Sequence, residues 1–354
     1  MSRLKLQRLL LRLRKLLADR FGRRREVYFE QRVDQYRRMW QAIARAAGAR
    51  FRELAPDLWE LERDGRRTRV CNYQMEFDNP VVLAMAGRKP LMHRLLAGHG
   101  LAVPEHLVFR LQELERAEGF LAAHPLGCVI KPANGFGGKG VTTHVQTARE
   151  VRRAALLASL YSGELLMEPM VAGECYRLLV MDGHMIHAVK RAGPRLTGDG
   201  RRTVAELVAA ENRRRRAAGE RPLTDDRDYR FTLAYQDLGP ESVPAQGQVF
   251  LVKSVNDPLQ RGGVEVRTVY NEVVTDQVCD AVRRDAEAAA RVLGGEFIGV
   301  DLITRDITRP LAEVGGVINE VNTTPALHHH YDSRREDYPQ PALQVLESLL
   351  AKAP

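Results

Sequence analysis

The chain has 354 residues, enough for two or three lobes with a sizeable core, and its 44% apolar and 28% charged content is that of an ordinary globular protein. No run approaches the ~18 consecutive apolar residues of a membrane span. The net charge of +9 hints at nucleic acid, but residues 1–25 hold ten Lys or Arg and one acid, Asp19; the remaining 44 basic and 44 acidic residues cancel, which argues against nucleic acid as a partner of the body.

In chain order, Leu6, Leu9, Leu10, Leu13, Leu16 and Leu17 recur at helical spacing with Arg8, Arg12 and Lys15 mostly opposite. This is a short basic amphipathic helix ending near Gly22. It serves as a helix docked on the body or on a second subunit, or as a contact for an anionic membrane surface or nucleic acid. A second helix is predicted over 30–47, closed by Gly48, and a hairpin over 58–73 around Asp64-Gly65. Residues 88–99 read as a helix ended by Gly100. Helix and strand alternate from 105 to 147, with CVIKPA as a strand and ANGFGGKGV as a glycine-rich turn. A helix (148–161), a strand (164–169), a strand pair (175–192) and a helix (203–216) follow. Residues 217–248, with Pro222, Pro240 and Pro244, read as irregular. Strands (249–270), a helix (276–293), a hairpin (297–322) and a helix (340–351) complete the chain. Cys71, Cys128, Cys175 and Cys279 form no CxxC pair. With no signal peptide in view, free thiols and a cytoplasmic protein are expected.

Chemistry concentrates in two places. In KPANGFGGKGV, Gly135, Gly137, Gly138 and Gly140 let backbone amides approach an anion, and Lys139 adds a mobile charge. The spacing fits neither a Walker A loop nor a Rossmann fingerprint. Lys131 lies inside an apolar strand, where its charge demands an anion. Together these suggest a triphosphate flap. In GVDLI and INEVN, alternate residues share a face, so Glu320 and Asn322 point the same way. Paired antiparallel, the two strands bring Asp301, Glu320 and Asn322 together. Two carboxylates and an amide oxygen suit Mg²⁺ bridging phosphates. A zinc site at His328, His329 and His330 is set aside, since three consecutive residues do not readily present ligands to one ion. No Ser-His-Asp or Cys-His arrangement stands out.

These residues resemble the ATP-grasp superfamily, in particular the ATP-grasp portion of cyanophycin synthetases, with glutathione synthetase and D-alanine–D-alanine ligase as more distant relatives. The resemblance covers residues 80–350 and is carried by KPANGFGGKGV, MEPMVAGECYRLLVMDG, KRAGPRLTGDGRRTVAELVAAEN, VNDPLQRGGVEVRT, GVDLIT and INEVNTTP. It implies an α+β fold of two lobes clasping ATP. After the basic helix (1–25) would come an abbreviated pre-ATP-grasp region (26–87), an N-terminal lobe with the glycine flap (88–170) and a C-terminal lobe with the Mg²⁺ and substrate sites (171–354). It implies phosphate contacts from Lys89 and Lys131, an adenine hinge at Glu168 and Val171, a ribose-binding acid at Glu174, and Arg177 and Arg191 near the phosphates and the acyl group. Asp301, Glu320 and Asn322 match the magnesium ligands. Asn256, Gly262, Gly263, Thr324 and His328 fall where the amino acid or peptide substrate would border.

The implied chemistry is ADP-forming ligation: a carboxylate attacks the γ-phosphate and an amine displaces phosphate from the acylphosphate. The chain ends soon after the ATP-grasp portion, without the Mur-ligase-like domain of cyanophycin synthetases, so repeated two-step polymer growth is not expected from it alone. VKSVNDPLQRGG and ALHHHYD depart from the family pattern and point to different substrates. The short region ahead of residue 80 leaves room for a partner to complete the site, and the N-terminal helix for a homo-oligomer or partner-protein contact. A phosphotransferase of this fold and a catalytically weak scaffold stand as alternatives.

Overall fold

The computed structural model describes residues 3–21, 24–77, 79–135, 138–191, 193–217, 222–254, 271–330 and 341–353. Two helices lead the chain, α1 (Arg3–Phe21) and α2 (Arg24–Ala46). A four-stranded antiparallel meander follows: β1 (Arg50–Ala55), β2 (Leu58–Arg63), β3 (Arg66–Cys71) and β4 (Gln74–Met75). The predicted hairpin is the β2–β3 pair. Val33, Tyr36, Met39, Trp40 and Ile43, spaced three and four apart on α2, close over Trp59, Leu61 and Val70.

Two short helices, α3 (Pro80–Ala86) and α4 (Lys89–Gly98), lead into an antiparallel sheet in the order β5-β8-β6-β7. It comprises β5 (Leu107–Phe109), β6 (Cys128–Pro132), β7 (Thr142–Val145) and β8 (Leu165–Pro169), with α5 (Leu114–Ala122) and α6 (Ala148–Ala158) packed on it around Ile130, Val151, Ala155 and Met167. Thr147 caps α6 by accepting from Glu150 N. Helix α1 lies against α6. Its contact side is Leu4, Arg8 and Leu11, with an Arg8 Nη2 to Ser159 O hydrogen bond of 2.7 Å. The predicted leucine stripe is not the docked side.

The third sheet is five-stranded and antiparallel, in the order β13-β10-β9-β14-β15. Its strands are β9 (Glu174–Met181), β10 (His184–Arg191), β13 (Glu272–Val273), β14 (Phe297–Thr304) and β15 (Val317–Thr323). Alternation sends Tyr176, Leu178, Val180, Ile298, Val300 and Leu302 onto α9 (Asp280–Leu293), where Val282, Ala286, Ala289 and Leu293 meet them. A fully buried aliphatic side chain of this kind contributes about 1.5–3 kcal/mol. One end of the opposite face, with Leu179 and Phe297, is covered by α2 and the C-terminal α11 (Ala342–Lys352). Its other end carries the charged residues. A short helix, α10 (Leu311–Val314), links β14 to β15.

Between β10 and β13 the chain builds a small module with its own core around Val204, Leu207, Leu223, Tyr229, Leu233 and Phe250. It contains β11 (Arg195–Thr197), α7 (Val204–Ala217), α8 (Arg227–Ala234) and β12 (Val249–Leu251). The stretch 217–248, read as irregular, therefore holds a helix. Asp226 caps it by accepting from Tyr229 N, a signal outweighed in the sequence by the surrounding prolines and charges. Of the predicted 249–270 strands, β12 is described, and 255–270 lies outside the described residues. The α+β class read from the sequence is met.

Candidate active site

The register places the acidic set. Asp301 pairs directly opposite Glu320 on one side and Arg177 on the other, and Gly299 opposes Asn322. Between Leu302↔Ile318 and Asp301↔Glu320 the strand β15 has one residue more than β14, a bulge at Asn319. The bulge lets Ile318 stay in the core while Glu320 and Asn322 turn to the other face. Arg177 donates to both Asp301 oxygens, Nε to Oδ1 at 2.7 Å and Nη2 to Oδ2 at 2.6 Å, and Asn322 Nδ2 donates to Asp301 Oδ2 at 3.0 Å. Gly299, opposite Asn322, packs closely on the next segment: a Cβ there would come within 2.9 Å of Pro325 Cβ. Thr324, just past the strand, is held at φ +46°, which a β-branched residue rarely adopts.

The basic set comes from the other wall. Lys131 and Glu168 are diagonal neighbours on β6 and β8, both buried, with Nζ to Oε2 at 2.7 Å. Glu168 Oε1 has no hydrogen-bond partner among the described residues, and His93 Nδ1 lies 3.6 Å from it. His93 donates through Nε2 to the bulge carbonyl of Asn319 at 3.2 Å. Burial holds its imidazole below the usual range, with the Glu168 carboxylate opposing. At the start of α4, Lys89 Nζ donates to Gly135 O at 2.7 Å and meets Glu320 Oε1 at 3.0 Å. The glycine turn is laced to the same helix start, with Lys89 N to Ala133 O at 3.1 Å and Gly135 N to Gly87 O at 3.3 Å. Gly138 and Gly140 have φ of +64° and +75°, and Lys139 is exposed between them. Gly137 lies outside the described residues.

Between these walls runs a cleft. The segment Glu168–Val171 forms one side, Cys175, Arg191 and Ile303 a second, and Asp228, Phe231 and Tyr235 of the small module a third. Burial pushes the Cys175 thiol up to about 11 and raises the Tyr235 phenol, so both stay neutral at physiological pH. The cleft thus offers apolar walls with a few polar groups and a backbone edge at 169–171, a setting for a flat ring. Gly173, at φ +143°, packs so closely that a Cβ would sit 2.5 Å from Thr304 C. That contact fixes where β8 hands over to β9. Glu174, next in line, is taken up by Lys190 at 2.5 Å and Arg195 at 2.8 Å.

The structure therefore brings together Lys89, Lys131, Glu168, Arg177, Asp301, Glu320 and Asn322, with Val171, Glu174 and Arg191 along the cleft. Asn256, Gly262 and Gly263 lie outside the described residues, as does the side chain of His328. Four groups escaped the sequence reading. They are His93, Lys190, Arg195 and a buried cluster where the small module meets β7. In that cluster Lys253, fully buried, reaches Asp226 at 2.5 Å and Asp228 at 3.9 Å, and His144 Nε2 lies 3.7 Å from Asp228 Oδ1. Arg227 crosses the same seam to Glu150 at 2.6 Å and His144 O at 3.1 Å. Lys253 sits in the apolar run VFLVKS, so the argument that singled out Lys131 could have found it.

Solved structures similar to the chain include a bifunctional glutathione synthetase from Pasteurella multocida (22% identity, 86% of this chain and 41% of that one, TM-score 0.49). The ATP-grasp ligase PsnB with a minimal precursor matches at 16% identity over 78% of this chain and 63% of that one, TM-score 0.42. Among curated proteins, the relatives include cyanophycin synthetases. That of Nostoc sp. is 31% identical over 252 residues, which is 70% of this chain and 27% of the relative. The glutathione biosynthesis bifunctional protein GshAB of Enterococcus faecalis is 29% identical over 265 residues, 72% of this chain and 34% of the relative. The resemblance to cyanophycin synthetases read from the sequence is borne out by the curated relatives. The chain spans between a quarter and about a third of the length of these curated relatives. No family model matches it.

Proposed function

We propose that the chain is an ATP-dependent, ADP-forming ligase that joins a carboxylate to an amine, making an amide or peptide bond on an amino acid or peptide. The observation that carries this reading is the meeting of two opposed charge sets. Lys89 and Lys131 stand on the wall nearest the glycine turn, and Asp301, Glu320 and Asn322 stand on the facing sheet. Carboxylate and triphosphate repel each other, so a site that joins them needs cations on both sides. The oxygen donors fit Mg²⁺: Asn322 spends its Nδ2 on Asp301, which leaves Oδ1 for a metal, and Glu320 lies across the ladder. Bound ATP with Mg²⁺ would supply the phosphoryl group that activates the carboxylate as an acylphosphate.

The chain's own residues do the rest. Glu168 holds Lys131 extended, and Asp301 holds Arg177 by a two-pronged bond, so both cations are fixed before substrate arrives. Val171 presents backbone at the hinge and Glu174, set by Lys190 and Arg195, faces the neighbouring ribose position. Arg191 lines the cleft toward the acyl group, and the glycine turn would exclude water from an acylphosphate that hydrolyses readily. Four free cysteines support a cytoplasmic setting.

The test is an ADP-release screen of amino acids and peptides in pairs, with mass spectrometry of the products. Release that requires both a carboxylate and an amine is expected. Release with no amine requirement would make the protein a phosphotransferase, and none with any pair would overturn the reading. Glu320→Gln should fold normally and lose ADP formation by orders of magnitude.

A further inference from the structure

Among the described residues, the outward side of α1 has no partner. Leu4, Arg8 and Leu11 face α6, whereas Leu6, Leu9, Leu10 and Leu13 on the opposite side are 45%, 46%, 52% and 48% exposed. Leu16 and Leu17 continue that spacing in the sequence. Arg12 and Arg14, both exposed, fall on the two borders of the stripe. We infer that α1 is a surface anchor that lays its leucine stripe into an anionic lipid bilayer.

Three observations select this occupant. The segment 1–25 carries +9 while the rest of the chain is neutral, so whatever meets this face is anionic. A second copy of the helix would bring two such segments face to face, and their like charges oppose that pairing. A broad leucine stripe bordered on both sides by arginine is the pattern of a helix lying in the plane of a membrane interface, apolar side among acyl chains and guanidinium groups at the headgroups. No helix among the described residues is long and apolar enough to cross a membrane, so the contact is peripheral. An isolated helix of this length is marginal in water, but here Leu4, Arg8 and Leu11 hold it against the body. The ordering cost that a free peptide meets on binding is thus reduced. The inference does not rest on the ligase reading, since no site residue is involved.

The experiment is co-sedimentation of the full-length protein with vesicles of phosphatidylcholine containing phosphatidylglycerol, and with phosphatidylcholine alone. Light scattering without lipid runs in parallel. Sedimentation with the anionic vesicles only is expected, weakening steeply between about 0.05 and 0.5 M salt. Leu9→Glu/Leu13→Glu and Arg12→Gln/Arg14→Gln should each lower apparent affinity by about tenfold or more. These side chains are exposed, so melting should not change. No sedimentation, or binding kept by the leucine variant, overturns the anchor. A dimer that the leucine variant dissolves, with no vesicle binding, assigns the stripe to a second copy and overturns it equally.

Discussion

Replacing Lys131 by methionine separates what this lysine does for stability from what it does for chemistry. Its Nζ lies 2.7 Å from Glu168 Oε2, and the two side chains are 8% and 4% exposed. The other Glu168 oxygen accepts no hydrogen bond among the described residues, and His93, at 3.6 Å, is kept neutral by burial. Lys131→Met therefore strands a carboxylate in a nearly dry position. Removing one partner of a buried pair costs about 3–5 kcal/mol, whereas replacing both by apolar or neutral groups of similar shape is close to neutral. The single variant should lose that amount in urea unfolding followed by intrinsic fluorescence. Lys131→Met/Glu168→Gln should recover most of it. ADP release should stay lower by orders of magnitude in both, because the positive charge beside the triphosphate is missing in both. A single variant as stable as the parent would show that the pair is not buried as described. A double variant that regains activity along with stability would show that Lys131 only neutralises Glu168, and the phosphate role would fall.

Gly173→Ala should lose about 2 kcal/mol or more, since φ +143° and a 2.5 Å approach to Thr304 C leave no room for a methyl group; urea unfolding reads it directly. His187 packs against His330, Nδ1 to Nδ1 at 2.9 Å, and burial lowers it to about 4. Its folded value is below the usual ~6.5, so its stabilising share is complete above ~6.5 and drains away as pH falls toward 4, by about 3 kcal/mol. Melting temperatures across that window should show the loss, and His187→Gln should flatten it; parallel curves for the two proteins would refute the assignment. Amide exchange at Gly138–Gly140 should slow when a nonhydrolysable ATP analogue and Mg²⁺ are added. Unchanged exchange in a protein shown to bind the analogue would make the turn merely structural.

Much of the site was legible because its chemistry is written in strand alternation. Glu320 and Asn322 two apart, with Asp301 central in the preceding strand, required only the period of a β-strand and an antiparallel return. Lys131 was legible from the cost of burying a charge among Val129 and Ile130. The bulge at Asn319 was not, since one added residue leaves no compositional mark, yet it turns Ile318 and Glu320 to opposite faces. The side of α1 that docks was not legible either. Periodicity finds the most apolar face of a helix, and here the body takes up Leu4 and Leu11 on the other side. His93 joins the site only through tertiary packing, and Lys190 and Arg195 reach Glu174 from the paired strand β10 and from β11.

The seam at Arg227 sets a timetable. Its guanidinium bonds Glu150 and the carbonyl of His144, and His144 stacks edge-on against Phe231 at 5.4 Å, so the small module is stitched to the strand that follows the glycine turn. Phe231 and Asp228, on the same helix, also wall the cleft. Under the proposed reaction, a nucleotide held in this cleft would lie against that stitched module. The firmness of those stitches would then bear on how fast the spent nucleotide leaves. Arg227→Ala would speed release while leaving the assembled site as it was.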